Sequence, residues 1–199
     1  MTGFDLVFAV YGLLLGLAIA EVLGGLSRAL KLKRGARPVR VGWLTPLLGV
    51  LAMLDLSNFW MLAWDARDQI QANYVTLLAV LTMVGTYYLA ATLIFPDEPA
   101  EWPDFDDWFD RQKGFVIGGL LAANVLSWIG LSILDSLHPL NEVAGPDNPL
   151  ADLVYIGCAI GILGLFVAIL VVRNRRWNAA LLAALCLMMA TSSVLEGFV

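Results

Sequence analysis

Charge, histidine and cysteine are all scarce in this chain of 199 residues. Only 15% of it is Asp, Glu, Lys or Arg, well below the share in an average soluble domain, which excludes an ordinary water-soluble surface. A single histidine, His138, removes bis-imidazole haem sites and multi-histidine zinc or di-iron centres. The two cysteines, Cys158 and Cys186, both lie inside apolar runs, where each behaves as a small buried hydrophobe rather than as half of a disulfide. A net charge of −5 leaves no basic surface able to neutralise a run of phosphates, so nucleic acid is excluded as a partner. No Lys falls within an apolar block, which removes a Schiff-base lysine of the retinal type. The sequence implies no metal and no cofactor.

What the chain does have is apolar length. Apolar residues make up 60% of it and its mean hydropathy is +0.79. They fall into six blocks separated by the charges, at about 4–30, 41–64, 74–95, 115–134, 153–172 and 177–198. Roughly 20 apolar residues in a helix cross a hydrocarbon core, and a helix satisfies its own backbone groups there. The expectation is therefore an all-α, polytopic membrane protein: one domain over residues 1–199, a bundle of six transmembrane helices, with the lipid bilayer as its first partner. A second copy of the chain or another membrane protein is the further partner such a bundle admits.

The first block carries Ala18-Ile19-Ala20, the small-x-small pattern of a signal-peptide cleavage site. Against cleavage, Asp5 stands where a basic leader would be, and the apolar run continues to Leu26 before Arg28, Lys31, Lys33 and Arg34 stop it. We read this block as a retained span. Orientation follows from the basic residues, since Lys- and Arg-rich loops stay cytoplasmic. Eleven of the twelve lie in or beside the segments 31–40, 96–114 and 173–176, and Arg67 alone lies on the other side. The expected location is thus the cell membrane, with both termini outside, on the periplasmic side if the source is bacterial.

The connection 96–114 differs from the rest. It holds seven acids, and Trp102, Phe105, Trp108 and Phe109 recur at helical spacing, which predicts a short cytoplasmic amphipathic helix along the membrane surface. Its acidic face has the wrong sign for anionic lipid and the right sign for the basic segment 31–40 on the same side, so the two loops are expected to dock. Calcium loops need spaced oxygen ligands around a Gly-containing turn, a pattern that DFDDWFD lacks.

Ionisable groups within a span are costly and generally face a protein interior or a water cavity. Asp5 and Glu196 fall at outer ends, within reach of water. Glu21 and Asp55 fall deeper, about 10 Å and about 20 Å from the cytoplasmic edge at 1.5 Å per residue, with Asn124 between them at ~16 Å. Glu21, Asn124, Asp55 and Asn58 therefore form a candidate polar ladder for protons or cations, with Asp55 lacking any deep cation and Glu21 within reach of Arg28. Tyr87, Tyr88, Tyr155 and Trp128 are candidate cavity walls for which core packing is the default role. Small residues at Gly12, Gly16, Ala20 and Gly24, at Gly118/Ala122 and Gly119/Ala123, and at Gly157/Gly161 predict close helix contacts. Ala20-Glu21-Val22-Leu23 and Ala123-Asn124-Val125-Leu126 hint at an inverted repeat relating spans one and four.

Two functions from different classes are compatible with these features. The leading one is a small proton- or cation-linked transporter or channel using the intramembrane carboxyls. The alternative is a non-catalytic subunit or sensor that docks a partner through the acidic aromatic loop 97–110, with Trp102, Phe105, Trp108 and Phe109 as the docking face. Catalysis is disfavoured: His138 precedes Pro139 in an outer loop, and Glu21 and Asp55 are too far apart in depth for an aspartyl dyad.

Overall fold

A computed structural model describes residues 3–34, 39–98, 101–139 and 149–196. Arg37 and the tip of the last predicted block, Phe198, lie outside them, as do the side chains of Tyr155 and Glu196. The described residues form six α-helices in order: α1 (Gly3–Lys33), α2 (Leu44–Asp65), α3 (Tyr74–Thr92), α4 (Phe105–Leu137), α5 (Pro149–Val171) and α6 (Arg175–Glu196), with a 3-10 turn at Ala66–Asp68 after α2. Among the described residues there is no strand, only an isolated bridge between Arg40 and Asp104. Among the described residues, four helical stretches, Phe4–Lys33, Leu44–Asp68, Tyr74–Thr92 and Phe105–Leu137, are long and apolar enough to cross a membrane, and Ile156–Val171 is a shorter apolar stretch. This is compatible with a multi-pass membrane protein.

Local chemistry sets several boundaries. Asn73 caps α3 by accepting from the Thr76 N–H (2.8 Å), and Asp104 caps α4 by accepting from the Asp106 N–H (2.9 Å). Asp106 and Asp107 in the first turn of α4 complement its positive end. Pro96 follows the end of α3, where it cannot donate to a continuing helix. At the far end, Gln69 donates to Asp135 Oδ1 (2.6 Å) and to the His138 carbonyl (3.1 Å), tying the turn after α2 to the end of α4.

The six helices fall within four residues of the predicted apolar blocks except at one place. The amphipathic segment does not form a separate surface helix: it is the first three turns of α4, which runs unbroken from Phe105 to Leu137. Gly114 does not break it, because the backbone hydrogen bonds continue through that residue and Phe105 and Phe109 are already packed inside.

α2 lies inside the bundle, against α1, α4 and α6, and buries Leu44, Leu48, Leu51, Ala52, Leu56 and Phe59. α1 packs on α3, α3 on α4, and α5 on α4 and α6. Large apolar side chains such as Leu13, Leu81, Leu89, Ile133, Ile160 and Leu187 point outward and are exposed, an outer face that suits a hydrocarbon surround. Two of the helix approaches rely on glycine. A Cβ on Gly25 would stand 2.5 Å from the Phe95 ring, and one on Gly119 would stand 3.0 Å from Ala90 Cβ, so the α1 and α4 contacts depend on absent side chains. Gly16 and Gly118, in the same predicted stripes, face open space.

Candidate functional site

The three basic connections meet at one end of the bundle. Arg40 N–H donates to the Pro103 carbonyl (2.9 Å), Phe105 N–H donates to the Arg40 carbonyl (3.0 Å), Thr45 Oγ1 donates to the Phe105 carbonyl (2.9 Å), and Arg40 reaches Asp104 at 3.4 Å. The basic and acidic loops are therefore docked. A third segment joins them: the Arg175 guanidinium bridges Asp107 Oδ1 (2.5 Å) and Asp110 Oδ2 (2.7 Å). Lys113 donates to the Val172 and Ile169 carbonyls and so closes the C-terminal end of α5. Burial, together with Asp104 nearby, pushes the Asp106 carboxyl above its ordinary value.

This docking consumes the aromatic face. Phe105 and Phe109 are buried, and the Trp108 indole N–H donates to the Leu93 and Ile94 carbonyls (both 3.2 Å) at the end of α3. Trp102 packs edge-on to Trp108 with 4.9 Å between ring centroids, and Arg111 lies over its ring. Of the four rings read as a docking face, Phe105 and Phe109 are closed to an outside partner, while Trp102 and Trp108 stay half-buried, because burying the rings and satisfying the carbonyls at the end of α3 both favour turning this face inward.

The polar residues of the candidate ladder separate into two places. Asp55, 1% exposed, sits in the middle of α2. Asn124 of α4 donates through Nδ2 to both of its carboxyl oxygens at 3.0 Å, and the Tyr87 hydroxyl of α3 is a further hydrogen-bond partner. The same Nδ2 lies 3.3 Å from the Tyr87 hydroxyl and 3.0 Å from the Leu120 carbonyl. One amide with two N–H groups thus faces four acceptors, and turning it over would offer Oδ1 to a protonated Asp55. The offset of about 4 Å counted along straight helices is within the reach of the two side chains and of modest helix tilt. Asn58, one turn further along α2, accepts from Ser193 Oγ of α6 at 2.6 Å.

Glu21 does not join this group. It is half-buried on α1 and pairs with Arg28, seven residues on, at 3.2 Å. A ladder running through Glu21 is corrected for that reason: two turns of one helix bring a cation to the carboxyl, so it needs no partner from another span. Ser57 also turns away, bonding the Met53 carbonyl of its own helix.

A cavity of about 510 Å³ opens beside Asp55. Its walls are Asn58, Phe59, Leu62 and Asp65 of α2, Tyr87 of α3, Asn124, Ser127 and Trp128 of α4, Cys158 and Ile162 of α5, and Met189, Ser192 and Ser193 of α6. Among the described residues, no Lys, Arg or His lines it. The α2 lining follows one helical face and ends at Asp65, which is exposed in the last turn. Asp65, Ser127 and Ser193 are site residues that spacing alone had not singled out. Tyr87 and Trp128, candidate cavity walls in the sequence, do line it; the hydrogen bond of the Tyr87 hydroxyl to Asp55 has no signal in spacing, although a buried phenol needs a partner and so points to polar groups nearby.

A second cavity, of about 470 Å³, lies on the other side of Phe59, between α1, α3 and α4. It is almost wholly apolar, walled by residues such as Val7, Phe8, Val80, Met83 and Leu134. The Tyr11 hydroxyl, which also borders it, donates to the Phe59 carbonyl. Among the described residues no cluster of three or more His, Cys, Asp or Glu side chains could hold a metal ion.

No protein-family model, curated protein or solved structure matches the chain.

Proposed function

We propose that this is a six-span protein of the cell membrane, with its three basic connections in the cytoplasm and both termini outside, that moves protons or cations through the cavity beside Asp55. One observation carries the reading: a carboxyl buried at mid-helix is held only by uncharged partners, Asn124 and Tyr87, and stands at the wall of a cavity with a partly polar lining. Glu21, by contrast, is half-exposed and paired with Arg28. Asp55 instead retains the capacity to gain or lose a proton or a cation, and ionisable groups in membrane interiors commonly serve such pathways. Asn58, Ser127, Ser192 and Ser193 supply further oxygens along the same wall.

The test is flux in sealed proteoliposomes carrying an internal pH dye. The wild-type chain is expected to dissipate an imposed pH or cation gradient faster than empty vesicles. Asp55→Asn should reduce the rate to the empty-vesicle level, and Glu21→Gln should leave it unchanged. Equal rates for Asp55→Asn and wild type would overturn the proposal.

A further inference from the structure

The cavity is far larger than a bare ion requires. A water molecule occupies about 30 Å³ of liquid, whereas this space measures about 510 Å³, within the range of sites that enclose small organic molecules. A hard inorganic cation is held by several oxygens converging at short range. Here the oxygens are strung along the wall: Asp55, Asn58 and Asp65 lie on one face of α2 over about 15 Å. The charge in the lining is of one sign. Asp55 and Asp65 contribute carboxyls, no Lys, Arg or His lines the cavity among the described residues, and Asn124 and Tyr87 complete the deep end. Opposite them, Trp128 stands one turn beyond Asn124 on α4 and borders the space, as does Phe59. An aromatic ring and a carboxyl lining one cavity favour an organic cation, because the ring quadrupole attracts a charge that holds water weakly.

We propose that the cavity between α2, α4, α5 and α6 binds a small organic cation of the alkylammonium class, with Asp55 as counter-ion and Trp128 as the aromatic wall. This deepens the transport reading, on which it rests, by naming the class of solute that occupies the site. Asp65 at the exposed end attracts the cation toward the cavity, and Asp55 is its endpoint. The serines of α6 and the thiol of Cys158 leave the remaining wall small and uncharged, consistent with a solute whose charge is met at one end and whose alkyl groups lie against Ile162 and Met189.

The experiment is equilibrium dialysis of radiolabelled tetraethylammonium against the purified full chain in detergent, with benzyltrimethylammonium as competitor. Wild type should bind saturably. Asp55→Asn should weaken binding roughly thirtyfold or more, as truncating one side of a buried charge pair does. Trp128→Leu should weaken it by roughly threefold to tenfold, which keeps the test valid if Asp55→Asn does not fold. Glu21→Gln should bind as wild type. Absence of saturable binding, or equal binding by wild type and both site variants, overturns the inference. If gradients collapse through wild type but not Asp55→Asn while no ammonium binds, the solute assignment is wrong and the transport reading stands. If Asp55-dependent binding occurs without any flux, the solute assignment holds and the transport reading fails.

Discussion

At the scale of single residues, the decisive contrast is between two carboxyls in apolar helices. Glu21 is answered by Arg28 on its own helix, and Asp55 by an amide and a phenol from two others. Removing the amide strands a buried acceptor, which typically costs about 1–3 kcal/mol. Asn124→Ala should therefore lower stability by about that amount in a detergent melt, more than Asn58→Ala, whose partner Ser193 keeps a second bond to the Met189 carbonyl. At the loop end, burial and the neighbouring Asp104 hold the Asp106 carboxyl above its ordinary value. The native state then binds that proton more tightly than the unfolded chain. The contribution is full below the ordinary carboxylate range and is lost as pH rises through the native value. Asp106→Asn should accordingly raise the melting midpoint at pH 7 while differing little from wild type at the acid end; a lower midpoint at pH 7 would contradict this. Asp55 and Asn124 were legible in sequence because a polar residue in an apolar run is conspicuous. Tyr87 was not, because an aromatic residue in such a run is ordinary, and only three-dimensional contact with Asp55 gives its hydroxyl a role.

At the scale of elements, helix positions were readable from hydropathy and helix contacts were not. In the stripe Gly12, Gly16, Ala20 and Gly24 of α1, a Cβ on Gly12 would stand 3.0 Å from the Trp60 ring, yet the closer approach falls one residue past the stripe, at Gly25 against the Phe95 ring. Repeats of four in sequence fix an angle on the helix but not which neighbour meets it. Phe95 is buried and has little room to withdraw. Gly25→Ala should therefore destabilise by about 1–3 kcal/mol, the usual cost of overpacking, whereas Gly16→Ala, with open space before it, should melt as wild type. Equal midpoints for the two variants would refute the contact. The start of α4 was hidden for a related reason. Acids, Pro103 and Gly114 made 96–114 read as a loop with its own short helix, but the aromatic residues in it are spaced to continue α4 and to bury Phe105 and Phe109. Arg175, which ties that segment to the start of α6, was counted only as an orienting charge; its two acidic partners lie more than 60 positions away in sequence.

At the scale of the whole molecule, alternating helices bring segments 31–40, 96–114 and 173–176 to one end, where Arg40, Thr45, Asp104, Lys113 and Arg175 bind them together. The cavity lies away from that end, and its α2 wall runs from Asp55 to Asp65. Composition made the apolar helices legible, whereas the cavity is walled by residues of α2, α3, α4, α5 and α6 that only packing brings together, a property that no local pattern encodes. The central claim is that this space is wet and open at the Asp65 end. Two native cysteines probe it without altering the site: Cys158 borders the cavity, and Cys186 is buried, with Sγ against the Leu47 carbonyl. Thiol reagents that are charged and membrane-impermeant react only where water reaches the sulfur. In sealed vesicles with the Asp65 end facing the bulk solution, Cys158 should be modified rapidly by such a reagent and Cys186 should remain unmodified. A Cys158 as inert as Cys186 would mean a dry cavity and would contradict the account.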